Sequence, residues 1–264
     1  MPLVFLKLGG SLITDKSRPY TPRPEQLDDV AAQIAAARRE RPDLRLVLGH
    51  GSGSFGHAAA QQYHFQRGAE TTADWHGFAE VWYHAATLNH LVIEALHRAG
   101  LPVIALPPIA SVSTHEEKIF IWDLYYLRAA LEAGLIPVIY GDVVFDQALG
   151  GVILSTEALF AYLARALHPE RILLAGQEDG VWENFPQRTR LIQEITPQTF
   201  AICREHAGSA AEPDVTGGMK TKVEHMLALV QEVPGLQVVI FSGQTPGNVQ
   251  RALLGATPGS VIHA

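Results

Sequence analysis

The chain has 264 residues, 47% of them hydrophobic and 18% charged, with a formal net charge of −7. That length and balance suit one large α/β domain or two modest ones with a sizeable core, and the negative charge argues against nucleic acid as the main partner while leaving room for a basic pocket around a small anion. The single cysteine, Cys203, excludes an internal disulfide and a Cys-based zinc site, no apolar run is long enough to span a membrane, and Met1 to Leu6 carries no signal-peptide pattern, so a soluble cytoplasmic protein is expected.

Leu3-Val4-Phe5-Leu6 is a continuous apolar run, as in a strand buried on both faces. It delivers Lys7, then Gly9-Gly10-Ser11-Leu12. A lysine at the end of a buried strand is costly unless an anion meets it, and the glycines beside it permit close backbone approach. Lys16 follows in a loop running into Arg18-Pro19, where a solvated lysine is the plain alternative. Pro24 to Glu40 has helical spacing, with Leu27, Val30, Ala31 and Ile34 on one face.

Leu44 to Leu48 reads as a second buried strand. It opens onto Gly49-His50-Gly51-Ser52-Gly53-Ser54-Phe55-Gly56-His57, four glycines in nine residues. Such a loop before a helix aims backbone N–H groups at one spot that suits a phosphate. A protonated His57 would add a charge-assisted hydrogen bond. Gly51-x-Gly53-x-x-Gly56 also fits the dinucleotide fingerprint, with Glu70 about twenty residues on in the place of a ribose-binding acid. A purely structural turn is the third reading of this stretch.

Ala58 to Tyr63 continues as a short helix, and Thr72 to Ala99 as a long one with Asp74 as its cap. Phe78 and Trp82, four apart, share a face of that helix. They serve either core packing or the wall of a greasy substrate pocket. The histidines of this helix have no metal-ligand spacing with carboxylates, and no metal site is expected. Pro102 to Leu106 is a strand, Glu116 to Ile121 one arm of a hairpin, and Leu124 to Ala133 a helix stopping at Gly134. Ile136 to Tyr140 is a strand running out into Gly141-Asp142-Val143-Val144-Phe145-Asp146, and an Asp just past a strand end lies where α/β sheets place their chemistry. After the Gly150-Gly151 turn and the Val152 to Leu154 strand, Ser155 or Thr156 caps a helix from Glu157 to Leu167, with Glu157 in its first turn.

The second half opens near His168-Pro169 with a strand from Arg171 to Ala175, then Gln177-Glu178-Asp179-Gly180-Val181-Trp182. Asn184 to Glu212 is a polar surface excursion. Gly217-Gly218 then opens a helix to about Val233, a second anion site, with Lys222 one turn in and projecting back over it. Lys220 points elsewhere around that helix. Gln237 to Phe241 is a strand, Pro246-Gly247-Asn248 opens a last helix, and Ser260 to His263 is a final short strand. Strands and helices alternate throughout, which predicts an α/β fold with a mainly parallel sheet and helices on both faces.

A dinucleotide needs one pyrophosphate cradle. Two glycine cradles, with Lys7, Lys16 and Lys222 between them, suit a phosphoryl group passing from donor to acceptor. The P-loop and protein-kinase motifs are both absent from the sequence. Lys7-x-Gly9-Gly10-Ser11, the mid-chain glycine loop, Asp179-Gly180-Val181 and Gly217-Gly218-Met219-x-x-Lys222 together resemble the amino acid kinase superfamily over essentially the full length. Gly51 to His57, with Gly141-Asp142-Val143-Val144 and Asp214 to Met219, resembles its isopentenyl phosphate kinase branch.

The resemblance implies an open three-layer αβα sandwich forming a single domain, residues 1–167 binding the acceptor and 168–264 the nucleotide. It implies transfer of the ATP γ-phosphoryl group to isopentenyl phosphate, magnesium carried mainly on the ATP phosphates, and a homodimer. It implies that Lys7 and Lys222 hold the ATP phosphates and that Lys16 stabilises the transition state. His57 with Gly10, Gly51 and Gly56 would bind the acceptor phosphate. Gly9, Gly10, Ser11, Ser52, Asp179, Gly217 and Gly218 would line the nucleotide site, Glu157 would face the lysines or substrate, and Phe78 and Trp82 would wall the prenyl tail. Two departures stand out: Thr156-Glu157 replaces the family's Gly-Asp, and Ala175-Gly176-Gln177-Glu178-Asp179 replaces its usual Thr-Asp-x-Asp. The rival readings are a kinase for another small phosphate or phosphonate such as fosfomycin, and a non-catalytic nucleotide-binding or storage protein.

Overall fold

The computed structural model describes residues 2–65, 68–183, 185–200 and 218–264. The expectations placed on Cys203, on Asp214 to Thr216 and on Gly217 lie outside these residues. In chain order the elements are β1 (Leu3–Leu8), α1 (Gly10–Ile13), α2 (Pro24–Glu40), β2 (Arg45–His50), α3 (Gly53–Gln62), α4 (Thr72–Arg98), β3 (Val103–Ala105), β4 (Val112–His115), β5 (Lys118–Trp122) and α5 (Tyr125–Glu132). They continue as β6 (Ile136–Tyr140), β7 (Asp142–Asp146), β8 (Gly150–Leu154), α6 (Thr156–Leu167), β9 (Arg171–Gly176), β10 (Val181–Trp182), β11 (Leu191–Ile192), β12 (Glu194–Ile195), α7 (Met219–Glu232), β13 (Gln237–Ser242), α8 (Asn248–Leu253) and β14 (Ser260–Ile262).

The main sheet runs β12-β14-β13-β9-β1-β2-β6-β3. From β13 to β3 every pairing is parallel, and β14 returns antiparallel at one side. The first half of the chain builds outward from β1 in one direction and the second half in the other. The order therefore reverses between β1 and β9, the place where open α/β sheets bind ligands at their carboxyl edge. All six residues of β1 are buried, as its unbroken apolar run requires of a strand covered on both faces.

Side chains alternate across that strand. Val4, Leu6 and Leu8 pack with α2, α4 and α8 through Leu27, Val30, Ile34, Leu88, Val92, Val249 and Leu253. Leu3 and Phe5 pack with α6 and α7 through Leu159, Phe160, Leu163, Val223, Met226 and Val230. Three layers result, as expected, and the parity assigns Lys7 to the α6/α7 face.

A second, four-stranded sheet, β5-β4-β7-β8, stands off the first. Here the sequence reading needs correction. Gly141 is a break: Ile136–Tyr140 stays in the main sheet, and Asp142–Asp146 crosses into the second and pairs antiparallel with β8. The hairpin arm begins at Lys118, because Glu116 and Glu117 form the turn at φ 50° and 66°. The Asp146 carboxylate accepts both their N–H groups, at 3.2 and 2.9 Å, and holds that turn.

The cap of α4 is Thr71, with Asp74 completing a reciprocal capping box from the first turn. Helix α3 starts at Gly53, so the glycine loop supplies its first turn. Within the polar excursion β11 and β12 form, and β12 pairs with β14 at the edge of the main sheet. No helix among the described residues is long and apolar enough to cross a membrane.

Candidate active site

A cavity of about 410 Å³ opens at the carboxyl edge of the main sheet, over the reversal between β1 and β9. It gathers Lys7, Gly9, Gly10, Ser11, Lys16, Gly51, Ser52, Gly56, His57, Glu157, Gly218 and Lys222. Residues scattered over more than 200 positions of sequence thus meet in one place, as the pattern of lysines and glycines predicts.

Two glycine turns form one surface. A Cβ on Gly10 would lie 2.6 Å from the backbone of Gly53, so the first turn and the mid-chain loop touch through bare backbone. On its other side Gly9 donates its N–H to Ala175 O of β9 at 2.7 Å. The Gly9-Gly10 turn is therefore wedged between the mid-chain glycine loop and the end of β9. Helix α3 begins under it and carries His57 into the cavity wall.

Lys7, 8% exposed, points to the α6/α7 face as its parity dictates. There Glu157, in the first turn of α6, forms an ion pair with it, and Lys222 of α7 lies 3.8 Å from the same carboxylate oxygen. Burial alone would raise the Glu157 carboxyl, but the charges of Lys7 and Lys222 outweigh it and bring it down to about 2. The helix N-terminus adds to that preference for the anion. The longer acid of Thr156-Glu157 thus reaches both lysines. Ser155 is the N-cap of α6, accepting Ala158 N–H. Thr156 instead donates its hydroxyl to His50 O at 2.6 Å, which seats α6 on the end of β2.

His50 and His57 bracket the same loop but differ in kind. His50 is fully buried, stacked on Tyr140 and set 3.1 Å from Asn89 Oδ1. Burial holds it down to about 4, so it stays neutral. Asp142 also lines the cavity. Burial pushes its carboxyl up to about 7, against the opposing hydrogen bonds from Val143 N–H, Ile109 N–H and the Tyr140 hydroxyl.

On the α4 and β8 side the apolar wall comes from Val81, Ile153 and Leu154, and Leu174, Met219 and Ile240 line the cavity elsewhere. Phe78 and Trp82 are not in it. Phe78 is buried among Phe65, Trp75 and Phe145, at ring distances of 5.7, 5.4 and 5.2 Å, and Trp82 is 40% exposed. The i, i+4 spacing identified a shared face but not what that face meets; Val81, one position before Trp82, is the residue turned to the cavity.

A model of the amino acid kinase family matches residues 2–242. The chain belongs to the amino acid kinase family. Among curated relatives, it is 34% identical to an isopentenyl phosphate kinase of Methanothermobacter thermautotrophicus over 96% of each chain. It is 31% identical to an isopentenyl phosphate kinase of Methanocaldococcus jannaschii over 98% of each. A solved structure of isopentenyl phosphate kinase superposes with a TM-score of 0.81 at 31% identity, covering 98% of this chain and 99% of that one. The product complex of the T. acidophilum isopentenyl phosphate kinase gives 0.79 at 25% identity, covering 99% and 100%.

On the β9 side, this amino acid kinase departs from expectation at one residue. Among the described residues the cavity wall takes in Gln177, Glu178 and Gly180 and passes over Asp179, which faces solvent. Trp182, Phe185 and Arg188 complete that side. Glu178 accepts the Trp182 indole N–H at 2.9 Å and two Arg188 bonds at 2.9 and 2.8 Å, and the Arg188 guanidinium lies 4.7 Å over the Phe185 ring. Arg188 lowers the Glu178 carboxyl. The aromatic and cationic residue types of 182–188 were visible in the sequence, but nothing in their spacing aimed them at the site.

Proposed function

We propose that this amino acid kinase transfers the γ-phosphoryl group of ATP to isopentenyl phosphate, giving isopentenyl diphosphate and ADP. The observation that carries the reading is one cavity that joins a glycine and lysine surface for phosphates to an apolar flank at Val81 and Ile153. The full-length likeness to isopentenyl phosphate kinases supports it. The apolar flank favours a prenyl tail over a small polar phosphonate.

In this reading the acceptor phosphate rests on His57 and the backbone of Gly10, Gly51 and Gly56. Ser11, Ser52, Gly9 and Gly218 face the ATP phosphates, with Lys7 and Lys222 neutralising them. An acceptor phosphate oxygen attacks the γ-phosphorus as its bond to the β,γ-bridging oxygen breaks, and that electron pair leaves on ADP. A phosphate dianion is already a nucleophile, so no side chain has to remove a proton. The protein contributes alignment and charge. Lys16 places a third cation at the transferring group. Glu157 keeps Lys7 and Lys222 apart and aimed until ATP arrives. Residues 1–167 act as the acceptor lobe and 168–264 as the nucleotide lobe.

Magnesium, carried on the ATP phosphates, would offset part of their charge. Of the carboxylates that line the cavity, Glu157 is engaged by two lysines and Glu178 by Arg188 and Trp182. We further propose a cytoplasmic homodimer; Phe120, Ile121, Tyr125 and Tyr126, each more than half exposed, are an apolar surface consistent with pairing.

A coupled assay of ADP release tests the function. Turnover with isopentenyl or dimethylallyl phosphate well above the acceptor-free rate is expected. Turnover with fosfomycin alone would move the substrate to the phosphonates, and silence with every acceptor despite ATP binding would leave a binding protein.

A further inference from the structure

Lys16 is carried on a short hairpin whose seat is set by one buried hydroxyl. The arms of the hairpin meet at a bridge between Thr14 and Pro22, and Asp15 N–H donates to Thr21 O at 2.9 Å. The Asp15 carboxylate accepts Ser17 N–H at 3.0 Å and the Ser17 hydroxyl at 2.7 Å, which shapes the tip around Lys16.

At its base, Thr14 is fully buried. Its hydroxyl donates to Gly10 O at 2.7 Å and accepts Ser54 N–H at 2.9 Å. One atom thus ties the first glycine turn to the first turn of α3. The returning arm grips the same residue, with Thr21 N–H donating to Ser54 Oγ at 3.2 Å and Tyr20 N–H to Ser54 O at 3.4 Å. Gly53 is shaped for this contact. It has φ 53°, and a Cβ there would sit 2.2 Å from Thr14 Oγ1.

We infer that Thr14 is a positioning residue that fixes Lys16 over the phosphate cradle by locking the Lys16 hairpin, the Gly9-Gly10 turn and the start of α3 to one another. The inference rests on the reading of Lys16 as the cation at the transferring group. Thr14 touches neither substrate in this account; it acts through the placement of Lys16. Thr14→Val keeps the shape and removes the hydroxyl; Ser54 N–H loses its acceptor, while Gly10 O keeps the Thr14 backbone N–H at 2.9 Å. The hairpin then loses its fixed height, and an offset of about 1 Å in a charged group is enough to lower turnover by one to two orders of magnitude.

The test is a double-mutant cycle on kcat and on both KM values, using Thr14→Val, Thr14→Ser and Lys16→Ala. Thr14→Val is expected to lower kcat about tenfold while KM for ATP changes less than about threefold, and Thr14→Ser to stay within about twofold of the parent. In the Lys16→Ala background Thr14→Val is expected to cost less than about twofold, because the group it positions is gone. A full tenfold loss in that background, or equal loss in the Ser and Val variants, would overturn the inference. If Lys16→Ala alone leaves kcat intact, the reading of Lys16 fails instead. Should Thr14→Val not fold, Thr14→Ala carries the same cycle, and failure of both to fold would make the hydroxyl a folding determinant and overturn the proposal.

Discussion

Replacing Glu157 with Gln removes the negative charge between Lys7 and Lys222 and leaves the side-chain shape nearly unchanged. The depression of the Glu157 carboxyl from 4.5 to about 2 corresponds to about 3 kcal/mol at about 1.4 kcal/mol per unit. The Lys222 contact at 3.8 Å gives about 4 kcal/mol by Coulomb's law at an effective dielectric constant of about 20. The second is the gross attraction of one lysine, whereas the first sets both lysines against burial and is the net figure; for a chain of this size it predicts a fall in Tm of roughly 5–10 °C at pH 7. A lowered carboxyl contributes its full stabilisation above the unfolded value of 4.5 and loses it as the pH falls toward 2. The gap between the parent and Glu157→Gln should therefore close as acid is added. ATP brings anionic phosphates to the same lysines, so it should raise the Tm of the variant more than that of the parent. Thermal unfolding at pH 7 and pH 3, with and without MgATP, measures all three effects. Equal Tm values at pH 7, or equal ATP shifts in the two proteins, would refute the view that Glu157 holds Lys7 and Lys222 where the ATP phosphates bind.

Other outcomes follow from the same geometry. Lys16→Ala should lower kcat by about 10²–10³, as loss of a charge-stabilising donor does, with ATP affinity held within a few fold by isothermal titration. A main effect on ATP affinity would place Lys16 with the donor instead. His57→Ala should raise KM for the acceptor at least tenfold while ATP binding survives, and unchanged steady-state kinetics would remove His57 from the site. Val81→Trp should fill the apolar flank and weaken isopentenyl phosphate while sparing acceptor-independent ATP binding; an unaltered acceptor KM would mean that the tail lies elsewhere. Asp142, raised to about 7 in the fold from 3.8, costs the native state stability progressively as the pH rises from about 4 to about 7, above which the cost is constant. Asp142→Asn should therefore gain Tm relative to the parent between pH 5 and pH 8, and a flat difference would contradict the burial argument.

Much of the site was legible because its chemistry is costly anywhere else. A lysine closing a fully apolar strand and glycines crowded before a helix have few uses other than an anion, and Lys7, Lys16, His57 and Lys222 do meet at one cavity. The alternation of strands and helices carried the three layers for the same reason, since burial on both faces leaves its mark on every residue of β1. Facing was harder. Phe78 and Trp82 share a helix side, but the side is decided by how α4 packs on α3 and β7, which spacing does not contain. Gly141 could end a strand or continue it, and only the pairing of Asp142–Asp146 with β8 shows the chain changing sheets. Asp179 followed from the position of a motif, whereas its exposure follows from the turn into β10. The reach of Glu157 to both lysines depended on the seating of α6 against β2 through Thr156 and His50, a contact more than a hundred residues apart in sequence.

The most direct test of the central claim is phosphorus NMR of the reaction mixture. With ATP, magnesium and isopentenyl phosphate, the account predicts that the acceptor monophosphate resonance gives way to a pair of coupled diphosphate resonances in step with ADP. ADP accompanied only by inorganic phosphate, with the acceptor resonance unchanged, would contradict it.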